Sequence, residues 1–273
     1  MTLPRLATLL LLTSAVVVFR FFQPADATEQ LRGPLPSSAI LLDGEELVYE
    51  VSWTFFKIGT VRLRTRGDYS AEAWIDSYSD LPFVDLHSVH YSWMDSSFFS
   101  RGSRSIELRG EAWWGLDYDY DLSEGKLRVN EIYQTAVDSP LQIRGMIDTV
   151  ILADTNFVDG ISIAFFPRAR IHTSAAVSVP TVLLGKLGTT DFYFDGSKTT
   201  ESIEALDDPV RVVEVEGATS VVGVYGMTGA FTGWFSDDSA AVPIKGAVKV
   251  LLGDVDVELI QWKRDGWVPP TEP

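Results

Sequence analysis

Residues 234–262 decide the fold and have the sequence Trp-Phe-Ser-Asp-Asp-Ser-Ala-Ala-Val-Pro-Ile-Lys-Gly-Ala-Val-Lys-Val-Leu-Leu-Gly-Asp-Val-Asp-Val-Glu-Leu-Ile-Gln-Trp. Two runs of alternating apolar residues meet at Gly253-Asp254, and glycine tolerates the positive φ that the first position of a type II′ turn requires. Alternation with a period of two is typical of strands with one buried face. The stretch therefore predicts an antiparallel β-hairpin with a two-residue loop at Gly253-Asp254.

The register of this hairpin follows from counting outward from the turn. Five cross-strand pairs are predicted. Leu252–Val255, Val250–Val257 and Val248–Leu259 lie on one, apolar face, and Leu251–Asp256 and Lys249–Glu258 lie on the other. One apolar face and one charged face describe a half-buried antiparallel sheet. This pattern indicates a fold, but it does not indicate a reaction.

Strand patterns continue through most of the chain, beginning with the alternation from Leu47 to Trp53. Asp195-Gly196 is typical of a type I′ hairpin turn, and Asp159 predicts the cap of a short helix over residues 160–166. About a dozen strands with at most one or two short helices predict an all-β, mainly antiparallel fold. We expect a curved sheet, half-barrel, clam-like or barrel-like, with a β-sandwich as the alternative.

One face of the second predicted strand carries a row of arginines: Arg62, Arg64 and Arg66. Such a row is able to hold an anionic ligand. Because the chain is acidic, we expect these arginines to pair instead with glutamates on a neighbouring strand, such as Glu50.

The amino terminus has the pattern of a secretory signal peptide. Arg5 supplies a short basic region, residues 6–19 form an apolar run, and Ala25-Asp26-Ala27 is a small-x-small cleavage site. We expect cleavage after Ala27 and export to the periplasm or cell envelope. A retained amino-terminal anchor is the alternative.

Four segments are predicted: a signal peptide (1–27), a flexible leader (28–40), a single β domain (41–263) and a disordered tail (264–273). No segment after the signal peptide has the about 20 apolar residues of a transmembrane helix. We therefore expect no stable membrane span after cleavage.

The composition excludes several classes of function. The net charge is −16 at pH 7, and because such a chain is repelled by phosphate backbones, nucleic acid is not an expected partner. The chain has no cysteine, which excludes disulfides, thiolate metal ligands and thiol nucleophiles. Stability must come from the apolar core.

Residues suited to catalysis or metal binding are sparse. His87 and His90 are the nearest approach to a metal pair, but residues three apart in a strand point to opposite faces. The sequence has no Gly-x-Ser-x-Gly motif that would activate a serine. We expect no catalytic residues, no metal site, no cofactor and no enzymatic activity.

Asp237-Asp238 is a further candidate, since adjacent carboxylates suit calcium binding or acid–base chemistry. Neighbouring residues in a strand point apart, however. Aspartate also bonds readily to nearby backbone amides in turns, and we therefore expect these residues to form a turn or a bulge.

Three stretches together resemble a known family. They are residues 44–53 (Gly-Glu-Glu-Leu-Val-Tyr-Glu-Val-Ser-Trp), Asp159-Gly160-Ile161-Ser162 followed by residues 165–170, and Ser236-Asp237-Asp238 through Val242-Pro243-Ile244 to Gly253. In this order they are similar to the signatures of a bacterial exported family, domain of unknown function 3108 (DUF3108). The resemblance implies an envelope-associated β protein with a sheet similar to the lipoprotein-carrier half-barrel, and it implies no catalytic residues.

Tryptophan is abundant, with eight residues, and a concave sheet lined by tryptophan suits an acyl chain or sugar rings. The candidate ligand-binding residues are Trp53, Trp93, Trp113 and Trp234. We predict a non-enzymatic binder of a hydrophobic or amphipathic ligand, such as a lipid, in envelope biogenesis, with envelope proteins as further partners. The alternatives are a glycan-binding or surface-interaction module, and a hydrolase.

Overall fold

A computed structural model describes residues 35–81, 85–121, 123–151, 156–183, 185–221, 227–250 and 253–272, without the side chains of 148–151, 227 and 228. The predicted signal peptide and the first part of the predicted leader lie outside these residues.

The described strands form one antiparallel sheet of fourteen strands. They are β1 (Glu46–Trp53), β2 (Phe56–Thr65), β3 (Ser70–Ser77), β4 (His87–Met94), β5 (Ser100–Arg109), β6 (Ala112–Asp121), β7 (Lys126–Gln134), β8 (Gln142–Ile151), β9 (Ala175–Leu183), β10 (Lys186–Glu201), β11 (Val210–Thr219), β12 (Met227–Ser236), β13 (Pro243–Val250) and β14 (Asp254–Lys263). Two short helices accompany them, α1 (Ser37–Ile40) and α2 (Ser162–Phe165). The all-β prediction is confirmed, and the alternative of a β-sandwich is wrong because the strands share one sheet.

The strand order places the first and last strands of the chain in the middle of the sheet. Strands that follow each other in the sequence pair with each other, except β8 and β9, and the first and last strands, β1 and β14, also pair. The edges of the sheet are therefore the consecutive strands β8 and β9. The connection between these edges contains α2, and we call its residues 156–174 the plug.

Hairpins of an antiparallel sheet alternate between its two ends. The turns that follow the odd-numbered strands β1 to β13 lie at one end, which we call the open end. The plug and the remaining connections lie at the other end, the closed end.

The main core forms between the plug and one face of the sheet, the inner face. Phe165 and Phe166 of the plug are 0% and 1% exposed. They share one buried cluster with side chains from widely separated strands, including Leu47, Leu63, Phe192, Ile244 and Leu259. A single apolar segment thus holds the curved sheet together by removing both surfaces from water.

Phe157, also in the plug, packs near the two edges of the sheet. It forms a cluster with Leu127 and Val129 of β7 and with Val182 of β9. Phe157 is fully buried. The edge regions therefore approach each other through side-chain packing, although β8 and β9 do not pair.

The hairpin of β13 and β14 has a different register from the predicted one. Val248 pairs with Val255 instead of Leu259, a shift of four residues, and Lys249 pairs with Asp254. The predicted two-residue loop at Gly253-Asp254 is therefore wrong, because Asp254 already pairs with Lys249 as the first residue of β14. Because the shift is even, each side chain keeps its predicted face.

Asp195-Gly196 does not form the predicted hairpin turn. Both residues lie within β10, at an irregularity of the pairing with β11 between Phe194 and Lys198. Gly196 has φ 70°. A bulge uses the same left-handed conformation as a type I′ turn, which explains why the dipeptide was misleading.

The segments that flank the sheet are packed. Leu35 donates its backbone N–H to the plug at 2.9 Å, so residues 35–40 of the predicted flexible leader are held in place. Trp267 Nε1 donates to Asp238 Oδ2 at 2.8 Å. Arg211 donates its backbone N–H to the carbonyl oxygen of Pro270 at 2.8 Å, so residues of the predicted disordered tail contact the β domain.

Candidate functional site

Glu45 lies between two arginines at the closed end. Its carboxylate accepts hydrogen bonds from Arg168 Nη1 at 3.0 Å and Nη2 at 3.3 Å, and it also pairs with Arg264. Arg168 is fully buried and also donates to the carbonyl oxygen of Ala240 at 3.0 Å. This closed-end cluster (Glu45, Arg168, Arg264) joins the chain before β1, the plug and the chain after β14.

Residues from all three stretches that resemble DUF3108 meet at the closed-end cluster. Glu45 belongs to the first stretch, Arg168 to the second and Ala240 to the third, and the three meet in one set of hydrogen bonds. These stretches therefore contribute contacts that join the chain before β1, the plug and the connection between β12 and β13.

Asp159 fixes the plug to the sheet. Its buried carboxylate accepts hydrogen bonds from Ser92 Oγ at 2.6 Å and Ser100 Oγ at 2.5 Å. The backbone N–H groups of Ile161 and Ser162 donate to it at 2.8 and 2.9 Å. The helix is shorter than predicted, since α2 begins at Ser162 and Ile161, not Asp159, lies at its N-cap position. Burial raises the pKa of Asp159, and these hydrogen bonds oppose that rise.

Asp237 and Asp238 have separate partners, as expected for neighbours in a turn. Asp238 Oδ1 accepts the backbone N–H groups of Ala240 and Ala241 at 2.9 and 3.0 Å. Asp237 binds Lys198 Nζ through both carboxylate oxygens, at 2.9 and 2.8 Å. The predicted structural role in a turn is therefore confirmed for Asp238.

The three histidines lie apart. His87 Nδ1 is 2.7 Å from Asp76 Oδ1, His90 points to the inner face, and His172 Nδ1 is 3.9 Å from Asp237 Oδ1 at the closed end. Within the described ranges, no three His, Cys, Asp or Glu residues are grouped as metal ligands.

Towards the open end, the inner face carries partly exposed apolar side chains. One row crosses four strands: Val248 on β13, Val255 on β14, Trp53 on β1 and Phe56 on β2. Trp53 is 43% and Phe56 66% exposed. With the half-buried Val51 and Ile75 on the same face, these residues form what we call the open-end apolar surface: Val51, Trp53, Phe56, Ile75, Val248 and Val255.

His90 is a polar group of the inner face on β4, one strand beyond Ile75. Its Nε2 lies 3.1 Å from Ser88 Oγ. Burial lowers the pKa of His90 to about 4, while Glu107 acts in the opposite direction. The imidazole is therefore neutral at pH 7, and the pair with Ser88 offers a hydrogen bond without a charge.

The structure does not bring the four candidate tryptophans together. Trp53 lies on the open-end apolar surface. Trp93 is 39% exposed on the outer face with Arg104 over its ring, and Trp113 packs into an outer-face cluster. Trp234 Nε1 donates to Glu214 at 2.8 Å. Trp53 and Trp93 are thus on opposite faces and do not form a row.

Sequence reasoning identified only Trp53 among the residues of the open-end apolar surface and missed the other five: Val51, Phe56, Ile75, Val248 and Val255. The alternation of apolar and polar residues shows only that each strand has an apolar face. The pairings of β13, β14, β1 and β2 place most of them next to Trp53, and these pairings depend on the whole sheet.

A shallow polar depression lies on the surface, lined in part by Lys198, Arg211 and Asp237, with a volume of about 290 Å³. Because Lys198 is bound by both oxygens of Asp237, its charge is largely neutralised. The depression therefore offers a weaker anion site than its two cations alone would indicate.

No family model matches this chain, and no curated protein matches it either. The resemblance to DUF3108 thus stays a prediction. None of the helices in the part of the chain that the structure describes has the length and apolar character that a bilayer crossing requires.

Among solved structures, the fold is similar to that of a β-barrel-like protein of domain of unknown function DUF1849 from Brucella abortus. The TM-score is 0.53 with 10% identity, over 82% of this chain and 98% of that chain. A protein described as exported, with a YmcC-like fold, from Bacteroides fragilis has a TM-score of 0.31 with 8% identity over 85% and 99% of the two chains. LprF from Mycobacterium bovis has a TM-score of 0.26 with 10% identity, over 88% of this chain and 100% of that chain. At these values the first similarity concerns the fold alone, and the other two support no argument.

Proposed function

We propose that this chain is an exported protein of the bacterial cell envelope, without enzymatic activity, that binds a hydrophobic or amphipathic ligand. The open-end apolar surface supports this proposal, because aliphatic and aromatic side chains there are partly exposed on the inner face of a curved sheet. Soluble proteins rarely leave such side chains grouped without a ligand or partner.

The chemistry of the surface suits an acyl chain. Each methylene group moved from water onto apolar side chains contributes about 0.8 kcal/mol, so affinity grows with chain length. The neutral His90–Ser88 pair provides a hydrogen bond near the apolar side chains. We infer that a polar headgroup stays towards the open end, where water reaches it.

The assignment to the envelope is supported by the signal-peptide pattern of residues 1–27 and by the resemblance to DUF3108. Both are features of the sequence. We propose cleavage after Ala27 and a periplasmic or envelope-associated mature protein.

The proposal is tested by extracting the protein, purified from its native compartment, with organic solvent and analysing the extract by mass spectrometry. A fluorescent fatty acyl probe then measures affinity. Val51→Thr places a hydroxyl on the open-end apolar surface and is expected to weaken probe binding roughly fivefold.

Val48→Thr is the matched control, since Val48 lies on the same strand with similar burial but on the outer face. It is expected to leave probe binding unchanged. Absence of both a co-purifying lipid and probe binding would refute the proposed function, and equal losses in the two variants would refute the assigned surface.

A further inference from the structure

The β1–β2 hairpin ends in exposed aromatic side chains at the open end. Trp53 and Phe56 form the last cross-strand pair, so Thr54 and Phe55 are the two loop residues. The exposed fractions are 43% for Trp53, 91% for Phe55 and 66% for Phe56. We call these three residues the aromatic tip.

The conformation of the β1–β2 turn does not explain why residues 53–56 are Trp-Thr-Phe-Phe. Thr54 has φ 59°, a conformation that suits glycine or asparagine and is unfavourable for a β-branched residue. The Thr54 N–H donates to the carbonyl oxygen of Asp254 at 3.1 Å, which holds the loop against β14. The hairpin therefore presents Phe55 to solvent in a fixed position, as expected for a contact surface.

The charges around the aromatic tip indicate the kind of surface that it fits. The tip has no ionisable side chain, and the neighbouring Lys57 is paired with Glu50 at 2.7 Å and Glu204 at 2.9 Å. The net charge of −16 repels anionic headgroups. Exposed tryptophan and phenylalanine suit the boundary between headgroups and acyl chains of a bilayer. The aromatic tip therefore fits a bilayer whose headgroups are zwitterionic.

We propose that the aromatic tip docks the open end on a lipid bilayer with zwitterionic headgroups, with Phe55 inserted among the acyl chains. Trp53 and Phe56 belong both to the tip and to the open-end apolar surface, so docking places this surface at the membrane. The inference that ligand passes between the membrane and the open-end apolar surface rests on the proposed function, whereas docking itself does not.

The test is flotation of the full chain with phosphatidylcholine vesicles. The unaltered protein is expected to float with the vesicles, and Phe55→Ser is expected to reduce the bound fraction on the order of tenfold. Val268→Ser is the control, because Val268 is 76% exposed but lies outside the tip; its bound fraction should not change. Replacing part of the phosphatidylcholine by phosphatidylglycerol should weaken binding at low salt.

Three results overturn the docking: no flotation of the unaltered protein, unchanged flotation of Phe55→Ser, or equal losses in both variants. A concentration-dependent dimer that Phe55→Ser abolishes would also overturn it, by assigning the tip to a second copy of the chain. Binding of the fatty acyl probe without vesicles separates the two proposals. Phe55→Ser should still bind the probe. If the unaltered protein does not bind the probe, ligand binding is refuted but docking is not.

Discussion

His90 links the stability of the protein to pH. Burial lowers its pKa from 6.5 to about 4 in the folded chain, so the unfolded chain binds the proton more tightly. The stabilisation is fully present above the ordinary pKa and is lost as the pH falls towards the folded pKa. By pH 5 we expect a loss of about 1–2 kcal/mol from this group.

Urea unfolding at about pH 7.5 and about pH 5 measures this effect. His90→Gln removes the titrating group and should show a smaller decrease in unfolding free energy between the two pH values. The same decrease in both proteins would contradict the assignment to His90.

At the scale of single residues, contacts between near neighbours in the sequence were predictable, and contacts between residues far apart in the sequence were not. The hydrogen bonds of Asp159 to the backbone were predictable because its partners, Ile161 and Ser162, lie two and three residues away. Its other partners, Ser92 and Ser100, are 67 and 59 residues away. No spacing rule connects residues so far apart in the chain.

The register of the β13–β14 hairpin is testable by cross-linking, because the chain has no native cysteine. Val248 and Val255 are directly opposed, and opposed residues bring Cα atoms to about 4.5–5.5 Å, within reach of a disulfide. The double variant Val248→Cys and Val255→Cys should form one under mild oxidation.

The comparison pair is Val248→Cys with Leu259→Cys, which the predicted two-residue turn would place opposite each other. This pair should stay reduced. Mass spectrometry of the oxidised proteins distinguishes the two, and a disulfide in the second pair alone would show that the observed register is wrong.

Faces were easier to predict than register for these strands. In the β6–β7 hairpin, Tyr120 pairs with Leu127, whereas a two-residue loop at Glu124-Gly125 would oppose it to Val129. This shift is two residues, and that of β13–β14 is four. Both are even, because burial of one face penalises odd shifts but permits even ones.

At the scale of the molecule, the closed-end cluster holds together the chain before β1, the chain after β14 and the plug. Glu45→Gln removes the carboxylate charge and leaves Arg168 and Arg264 buried side by side. Loss of one partner from a buried ion pair costs about 3–5 kcal/mol, and we expect a decrease of this size in the free energy of unfolding by urea.

Glu46→Gln is the matched control, since the adjacent Glu46 pairs with Arg64 at 2.6 Å on the outer face, with side chains 27% and 46% exposed. Exposed pairs contribute about 1 kcal/mol or less. Equal destabilisation by the two variants would contradict a dominant role for the closed-end cluster.

The partners of the arginine row (Arg62, Arg64 and Arg66) depend on the pairing of strands across the whole sheet. Pairing with glutamates is confirmed, through Glu46 for Arg64 and through Glu72 for Arg66. Glu50, the predicted partner, pairs with Lys57 instead. Charge balance was predictable from composition, but the partners depend on which strands lie side by side.

The amino-acid sequence by itself determined that the fold is all-β, which residues of the β13–β14 and β6–β7 hairpins share a face, and that Asp159 bonds to nearby backbone N–H groups. These features depend on a period of two and on neighbours within a few residues. Only the tertiary structure decided that β1 pairs with β14, that the plug fills the closed end, and that Val255, Trp53 and Phe56 lie in one row. These features join residues far apart in sequence, and their energies come from packing and buried charge that exist only once the sheet has rolled around the plug.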